Sequence, residues 1–395
     1  AAEGNRLTDI DGNTVADFCL GDTGAMFGHV PPPIAQALAD RRGRGLTHML
    51  PSDDAEAVGA LLASRFGLPH WQVAATASDA NRFALRVARA VTGRRVVVVF
   101  DGCYHGAVDE TLVDLVDGAT VSRPSLLGPA FDAAATTRAV PFNDPEALAR
   151  ALAPGDVACV IAEPVMTNCS MILPRPGFHA ELRDATRRHG TLLILDETHT
   201  ISTGPGGYTG RHRLEPDILV AGKPVAGGVP ASVWGFTDAV AARLAAVNAG
   251  RPPGHSGIGT TLSGSAFALA MLRACLESVA TPEAYALMEA RAAMIADGLT
   301  ALIRRRGLPW HVARVGARLE VVFRAEPLAD AAQARAAAAP ALERTIHLGL
   351  LNRGYLATPF HNMLLVSPQT SDADAEGLVA AYDSLVGLLL GEGAP

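Results

Sequence analysis

The chain has 395 residues, with 40 acidic against 33 basic side chains and a net charge of −7; at roughly two to three times the usual domain size, it can bury a large core in two lobes, which excludes a disordered or fibrous protein. That acidic balance offers no electrostatic footprint for a nucleic-acid backbone or an anionic membrane, so a small-molecule partner is expected, with no nucleic acid and no membrane. No apolar run is long enough for a membrane span or a secretory leader, and five scattered cysteines, never spaced C-x-x-C, argue against a disulfide framework or a metal centre and for a reducing cytoplasm.

Between residues 73 and 236 short β-branched runs alternate with helical patterns. In chain order the pattern predicts a helix over 79–90, strands over 96–100 and 159–162, a helix over 176–188, and strands over 192–195, 218–221 and 231–236. Runs that are apolar throughout mean that both sheet faces are covered, as in a mostly parallel α/β sheet. From about residue 281 the texture changes to Ala/Arg/Glu-rich helices, then short strands at 318–323 and 363–366 and a final helix over 372–390, which reads as a smaller α+β lobe. Residues 331–339 are low in complexity but helical in propensity. The arginine clusters at 41–44 and 304–306 read as solvated helix ends.

One composition fact stands apart: 32 of the basic residues are arginine and a single one, Lys223, is lysine. A chain that uses arginine for its surface cations keeps one ammonium for chemistry that needs a deprotonable amine, which a guanidinium cannot supply. In open parallel sheets ligands sit outside the carboxyl ends of the strands, and the unusual residues fall there. Strand 96–100 ends in Asp101-Gly102-Cys103-Tyr104-His105-Gly106, and strand 159–162 in Glu163-Pro164 with Asn168 beyond. Strand 192–195 ends in Asp196-Glu197-Thr198-His199, and strand 218–221 in Gly222-Lys223-Pro224. Four strand ends thus bring Tyr, Asn, Asp and Lys towards one crevice.

Such a set suits pyridoxal 5′-phosphate. The amine of Lys223 makes a Schiff base, Asp196 pairs the pyridinium nitrogen and raises its pKa by direct charge interaction, and the ring of Tyr104 stacks. The phosphate needs a seat, and Thr76-Ala77-Ser78 offers hydroxyls, backbone N–H groups and the positive end of a helix, although a plain serine cap has the same look. Rival chemistries lack their residues. Gly222-Lys223 has Pro224 where a P-loop needs Ser or Thr, no H-E-x-x-H occurs for a metal, and no G-x-S-x-G elbow occurs for a hydrolase.

These residues carry a resemblance. From Asp11-Gly12 to about Ser367 the chain resembles the class III, fold type I pyridoxal-phosphate aminotransferases, nearest to the branch that contains glutamate-1-semialdehyde aminomutase and the β-amino-acid aminotransferases. The most specific segment is 101–106, similar to the family's F-E-G-C-Y-H-G; Glu163-Pro164-Val165, Asp196-Glu197 and Gly222-Lys223, with Gly227-Gly228-Val229-Pro230 following, come next. The resemblance implies a fold type I α/β architecture, with a mostly parallel seven-stranded sheet in a large domain and a smaller α+β domain. It places an N-terminal segment at 1–25 against the small domain, the cofactor-binding domain at 26–280 and the small domain at 281–395. It also implies Lys223, Asp196 and Tyr104 as catalytic groups, Thr76, Ala77, Ser78, His105, Thr198 and His199 against the cofactor, and Asn168 near its phenolic oxygen. Thr261, within Thr260-Thr261-Leu262-Ser263-Gly264, corresponds to a threonine that reaches the cofactor phosphate of the neighbouring subunit, which implies a homodimer with shared active sites.

Departures from the family pattern fall on the substrate side. Ala77 stands where the phosphate loop usually has glycine, and a turn requiring positive φ would be strained there. Thr203 stands where an arginine is usual, and Asn362 where a recognition glutamate is. The stretch 107–128 carries Asp109, Glu110, Asp114 and Asp117 in place of a glycine- and serine-rich lid. A substrate held by Asp22, Met26, Phe27, Phe360 and Asn362 is therefore expected. The activity expected is ping-pong exchange of an amino group between an amine or β-amino acid and a 2-oxo acid. The alternatives are an aminomutase or racemase using the same residues, and a cofactor-binding paralogue without turnover.

Overall fold

A computed structural model describes residues 1–254 and 256–392. At its centre lies a seven-stranded sheet in the order His70–Ala74, Ser232–Phe236, Ile218–Ala221, Leu192–Asp196, Val157–Ala162, Val96–Phe100, Thr137–Val140. All run parallel except Ser232–Phe236, which opposes the neighbour on each side. The central strands are buried along their length, as the runs VACVIA, LLILD and ILVA require when helices cover both faces.

The helix Ala77–Thr92 lies across this sheet. It starts at Thr76, whose Oγ1 accepts the Asp79 amide at 3.2 Å, and it stops at Gly93, where φ is 69°. Ala80, Asn81, Ala84, Leu85 and Ala88 form its buried stripe. The predicted strands match the observed ones to within two residues. Helix 176–188 begins at Phe178 instead, because Gly177 takes φ 84° and closes the preceding turn. The two edge strands, His70–Ala74 and Thr137–Val140, were not foreseen, since neither is apolar throughout.

The C-terminal lobe is built from the helix Pro282–Arg305, a three-stranded sheet of His311–Val315, Arg318–Val322 and Leu364–Leu365, and the helices Pro340–Leu351 and Asp372–Leu389. The last three residues of the expected 281–395 segment lie outside the described residues. Thr14–Asp17 pairs in parallel with Tyr355–Leu356, and Ala16 and Phe18 join Ile295, Leu299, Leu319 and Tyr382 in one apolar cluster, so the first strands are tied to this lobe. Arg41 departs from expectation: it is buried, and its guanidinium donates to the Ala266 carbonyl at 2.8 Å. Among the described residues no helix is long and apolar enough to cross a membrane.

Candidate active site

A cavity of about 470 Å³ opens at the carboxyl ends of the parallel strands. Thr76, Ala77 and Ser78 reach it from beyond His70–Ala74, Tyr104 and His105 from beyond Val96–Phe100, and Asn168 from beyond Val157–Ala162. Asp196, Thr198 and His199 come from the end of Leu192–Asp196, Lys223 from beyond Ile218–Ala221, and Asp22 from the N-terminal segment. Parallel order is what brings groups so far apart in sequence to one rim.

Lys223 follows Gly222 directly after its strand and holds φ 51°, a left-handed conformation that is costly for a side chain with a Cβ. Its Nζ donates to Asp22 Oδ2 at 2.6 Å and to His199 Nε2 at 2.6 Å. Burial lowers the ammonium pKa, while the charge of Asp22 opposes that shift. His199 is held well below its ordinary value by burial and then by the charges of Lys223 and Arg318, so the imidazole is neutral. Because Nε2 accepts from the ammonium, the ring proton sits on Nδ1, which is buried without a partner among the described residues.

Asp196 ends its strand with a buried carboxylate. Oδ2 accepts from Asn81 Nδ2 at 2.8 Å and from His105 Nδ1 at 2.9 Å, and Oδ1 accepts the Thr198 amide at 3.1 Å. Burial pushes its pKa up, but the hydrogen bond and charge of His105 and the bonds from Thr198 and Asn81 outweigh that and keep it below the usual value. Burial likewise opposes a charge on His105; Cys103 and Asp196 outweigh it and hold the imidazole well above its ordinary value. The result is an anion fixed from behind, with its strand-end face on the cavity.

The start of the helix Ala77–Thr92 forms another wall. First-turn amides have no partner within a helix, and with the Asp79 amide capped by Thr76, those of Ala77 and Ser78 remain for a ligand at the positive helix end. Ala77 already belongs to the helix and is free of positive φ, so the alanine in place of glycine brings no strain. Ser78 Oγ accepts the Ala107 amide at 3.0 Å, which pins the Tyr104-His105-Gly106 turn to the helix. Gly106, at φ 85°, has no room for a side chain unless Ser78 shifts, since a Cβ would run into Ser78 Oγ. Across the cavity Glu163 accepts from the Tyr104 amide at 3.2 Å and from Asn168 Nδ2 at 3.0 Å, fixing both residues at the rim.

Five expected site residues lie elsewhere. Met26 and Phe27 are buried in the core, with Phe27 edge-on to Tyr285 at 5.6 Å, so apolar burial claims side chains expected to meet substrate. Phe360 is half exposed and packs on His361 outside the cavity lining, and buried Asn362 donates to the Glu343 carbonyl at 3.0 Å. Thr261 is exposed and lines a different cavity, of about 630 Å³, beside Met49 and Leu50. Nor do the acids of 107–128 charge the pocket: Glu110 pairs with Arg89 at 2.7 Å and Asp114 with Arg123 at 3.0 Å.

Sequence reasoning missed Asn81, which lines the cavity. Asn81 is a polar residue on the apolar stripe of its helix, a signal that could have marked it. The buried face and idle polar atoms of this cavity fit a flat, phosphorylated, nitrogen-containing ring. An anion is fixed for its nitrogen at Asp196, helix amides stand ready for its phosphate, and Thr198 Oγ1 is buried without a partner among the described residues. Among the described residues no group of three or more His, Cys, Asp or Glu is placed to hold a metal ion.

Comparison with known proteins agrees with this chemistry. Residues 1–374 match the family model described as aminotransferase class-III. The chain is 34% identical over 385 residues to glutamate-1-semialdehyde 2,1-aminomutase of Anaeromyxobacter dehalogenans (strain 2CP-C), covering 96% of this chain and 88% of that protein. Among solved structures, a glutamate-1-semialdehyde-aminomutase from Pseudomonas aeruginosa PAO1 superposes with a TM-score of 0.96 at 49% identity, covering 98% of this chain and 87% of that one. A variant of the same protein in complex with PMP gives a TM-score of 0.94 at 49% identity, covering 99% and 87%.

Proposed function

The chain belongs to the class III aminotransferase family, and from that premise we propose that it is an aminomutase, moving an amino group between adjacent carbons of one small substrate of the glutamate-1-semialdehyde kind. Its architecture is fold type I and its cofactor is pyridoxal 5′-phosphate. The observation that carries the amino-group chemistry is the placement of Lys223 between Asp22 and His199, in one cavity with the fixed carboxylate of Asp196. Rearrangement is favoured over exchange by the likeness, along nearly the whole chain, to proteins named as aminomutases.

When bound, pyridoxal 5′-phosphate supplies an aldehyde and an electron-withdrawing ring that takes up the negative charge left on carbon when a proton departs. The chain does the rest. Thr76, Ala77 and Ser78 would hold the phosphate at the positive helix end, and Tyr104, at the rim of the same cavity, would stack on the ring. Ionised Asp196, its orientation set by Asn81 and His105, would pair the ring nitrogen. Lys223 would be the attachment point and, when free, would carry protons as a base. Its lowered pKa raises the free-base fraction near neutrality. Neutral His199 accepts an N–H from Lys223 and so aims the amine. Asn168, whose Nδ2 donates to Glu163, would offer its second N–H at the phenolic edge.

The rest of the reading has its own supports. A homodimer with Thr261 serving the partner's site is supported by the apolar exposure around it, with Met49 at 90%, Leu50 at 78% and Leu262 at 61%. Five free thiols support a reducing cytoplasm. A division into 1–25, 26–280 and 281–395 is supported by the pairing of Thr14–Asp17 with Tyr355–Leu356.

Exchange with a 2-oxo acid is the second reading. It is favoured by residues 107–128, where the hairpin Val113–Val116 and Ala119–Ser122 stands in place of a small-residue lid that would retain an intermediate. Glutamate-1-semialdehyde offered alone to the holoenzyme should be isomerised with no second carbonyl compound present. Isomerisation slower than amine exchange with pyruvate or 2-oxoglutarate would overturn the aminomutase in favour of the aminotransferase. Cofactor binding with neither reaction would leave a binding protein.

A further inference from the structure

Three acids line the cavity at the strand ends, and two of them are already satisfied. Asp196 accepts from Asn81, His105 and Thr198, and Glu163 accepts from Tyr104, Thr167 and Asn168. Asp22 differs. Its side chain is 34% exposed, and among the described residues its carboxylate has one donor, the Lys223 ammonium, 2.6 Å from Oδ2. The cavity holds no spare cation for it: among the described residues no arginine lines the wall, the His105 imidazole is bound to Asp196, and His199 is neutral.

The turn that carries Asp22 holds it there. Leu20, Gly21, Asp22 and Thr23 take φ of 48°, 58°, 48° and 84°, a left-handed run with only one glycine. Such strain persists where the surroundings over-determine it, and here they do. Asp17 Oδ1 accepts the Cys19 and Leu20 amides, each at 2.8 Å, Leu20 is buried in the core, and the buried hydroxyl of Thr23 accepts from the guanidinium of Arg318. The carboxylate is therefore presented to the cavity by a fixed turn.

An amino group that moves between adjacent carbons passes through a compound with nitrogen on both: one nitrogen enters as the carbonyl oxygen leaves as water, before the other is given up. We propose that Asp22 binds an ammonium of this vicinal diamine and so retains it between the two halves of the reaction. The inference rests on the aminomutase reading above and adds the residue that holds its doubly aminated compound. That compound can escape when Lys223 takes its place on the cofactor again. At that moment the Lys223 nitrogen keeps at most one N–H in place of three, and Asp22 is open to a new cation. A carboxylate that reaches the place of the reacting nitrogen at 2.6 Å also reaches a nitrogen one carbon further on. Retention is then by charge, which suits a chain whose residues 107–128 form the hairpin Val113–Val116 and Ala119–Ser122 and not a small-residue lid.

Small amines test this on the holoenzyme, with 1,2-diaminopropane set against isobutylamine and 1-amino-2-propanol, which replace its second amine by a methyl and a hydroxyl. Followed by the cofactor's visible absorbance, wild-type protein should respond to the diamine at lower concentration than to either partner. Asp22→Asn, which keeps a side chain tolerant of positive φ, should reduce that preference by about 10- to 100-fold, the worth of a hydrogen bond to a charged group, and Asp22→Glu should keep part of it. A second readout needs neither cofactor nor turnover. In cofactor-free Lys223→Ala, where Asp22 has lost its ammonium, 1,2-diaminopropane should raise the melting temperature, and in the double variant Lys223→Ala/Asp22→Asn it should not. An unchanged preference in Asp22→Asn, or equal melting shifts in the single and double variants, would overturn the assignment. Wild-type protein that exchanges amines but leaves glutamate-1-semialdehyde unisomerised would instead strike the parent reading.

Discussion

Lys223 is placed by three constraints that act on the same few atoms: a left-handed backbone, an acid on one side and a neutral imidazole on the other. Borohydride reduction of the holoenzyme should fix the cofactor to the peptide containing Lys223, and a label on any other peptide would refute the assignment. In Lys223→Ala turnover should vanish, while cofactor binding through the helix amides stays measurable. Asp22→Asn removes the charge that favours the ammonium, so the Lys223 pKa should fall further. The pH at which apo-protein begins to react with an amine-directed reagent should then move lower; an unchanged profile would mean that Asp22 does not act on Lys223. His179, away from the site, offers a stability test. Burial takes its pKa down to about 4 from an ordinary 6.5. The unfolded chain therefore binds the extra proton across that interval, and stability falls as pH drops through it. Replacing His179 with Gln should flatten the decline in melting temperature between pH 6.5 and 4.

At the scale of elements, the contact between the start of the helix Ala77–Thr92 and the turn after Val96–Phe100 sets the width of the cavity wall proposed to seat the phosphate. Gly106→Ala drives a methyl into Ser78 at a positive φ, and a loss of about 1–3 kcal/mol is expected. Gly118→Ala is the control, because Gly118 also has positive φ, 78°, but nothing lies within 4 Å of its added Cβ. Denaturant melts should show the larger loss in Gly106→Ala, together with weaker cofactor binding; equal losses would mean that the Ser78 contact yields freely. Much at this scale is legible in the sequence. Strands apolar throughout announce a covered parallel sheet, and the polar residues that interrupt them at their carboxyl ends announce the rim, which is why Tyr104, Asp196 and Lys223 can be found without coordinates. The burial of Arg318 cannot, because an arginine opening a β-branched run looks like any strand edge. Only the tertiary path shows that Ala317 donates to the Ser202 carbonyl, so that Arg318 enters beside Thr203, the position where the family resemblance expects an arginine. Met26 and Phe27 mislead for the opposite reason. Sequence places them near Asp22, and packing turns them into the core.

For the whole molecule, the exposed Met49, Leu50 and Leu262 beside Thr261 make a testable surface. Leu50→Asp should shift the protein towards monomer in sedimentation and weaken cofactor binding with it. Thr261→Ala should leave the dimer intact and cost about 1.5–3 kcal/mol of cofactor affinity. Loss of the dimer with full affinity would separate the two claims. The arginine-only surface has a further effect. Guanidinium groups keep their protons to very high pH, so the arginines other than Arg318, which burial brings down to about 10, hold a constant positive charge through the alkaline range in which lysine-rich proteins lose theirs. The buried thiols Cys159 and Cys275 are pushed up to about 12, and Tyr285 and Tyr382 are also raised by burial. In a base titration of apo-protein these four groups thus stay out of the mildly alkaline range, and the proton of the one ammonium at the mouth of the cofactor cavity is read as the difference between wild type and Lys223→Ala.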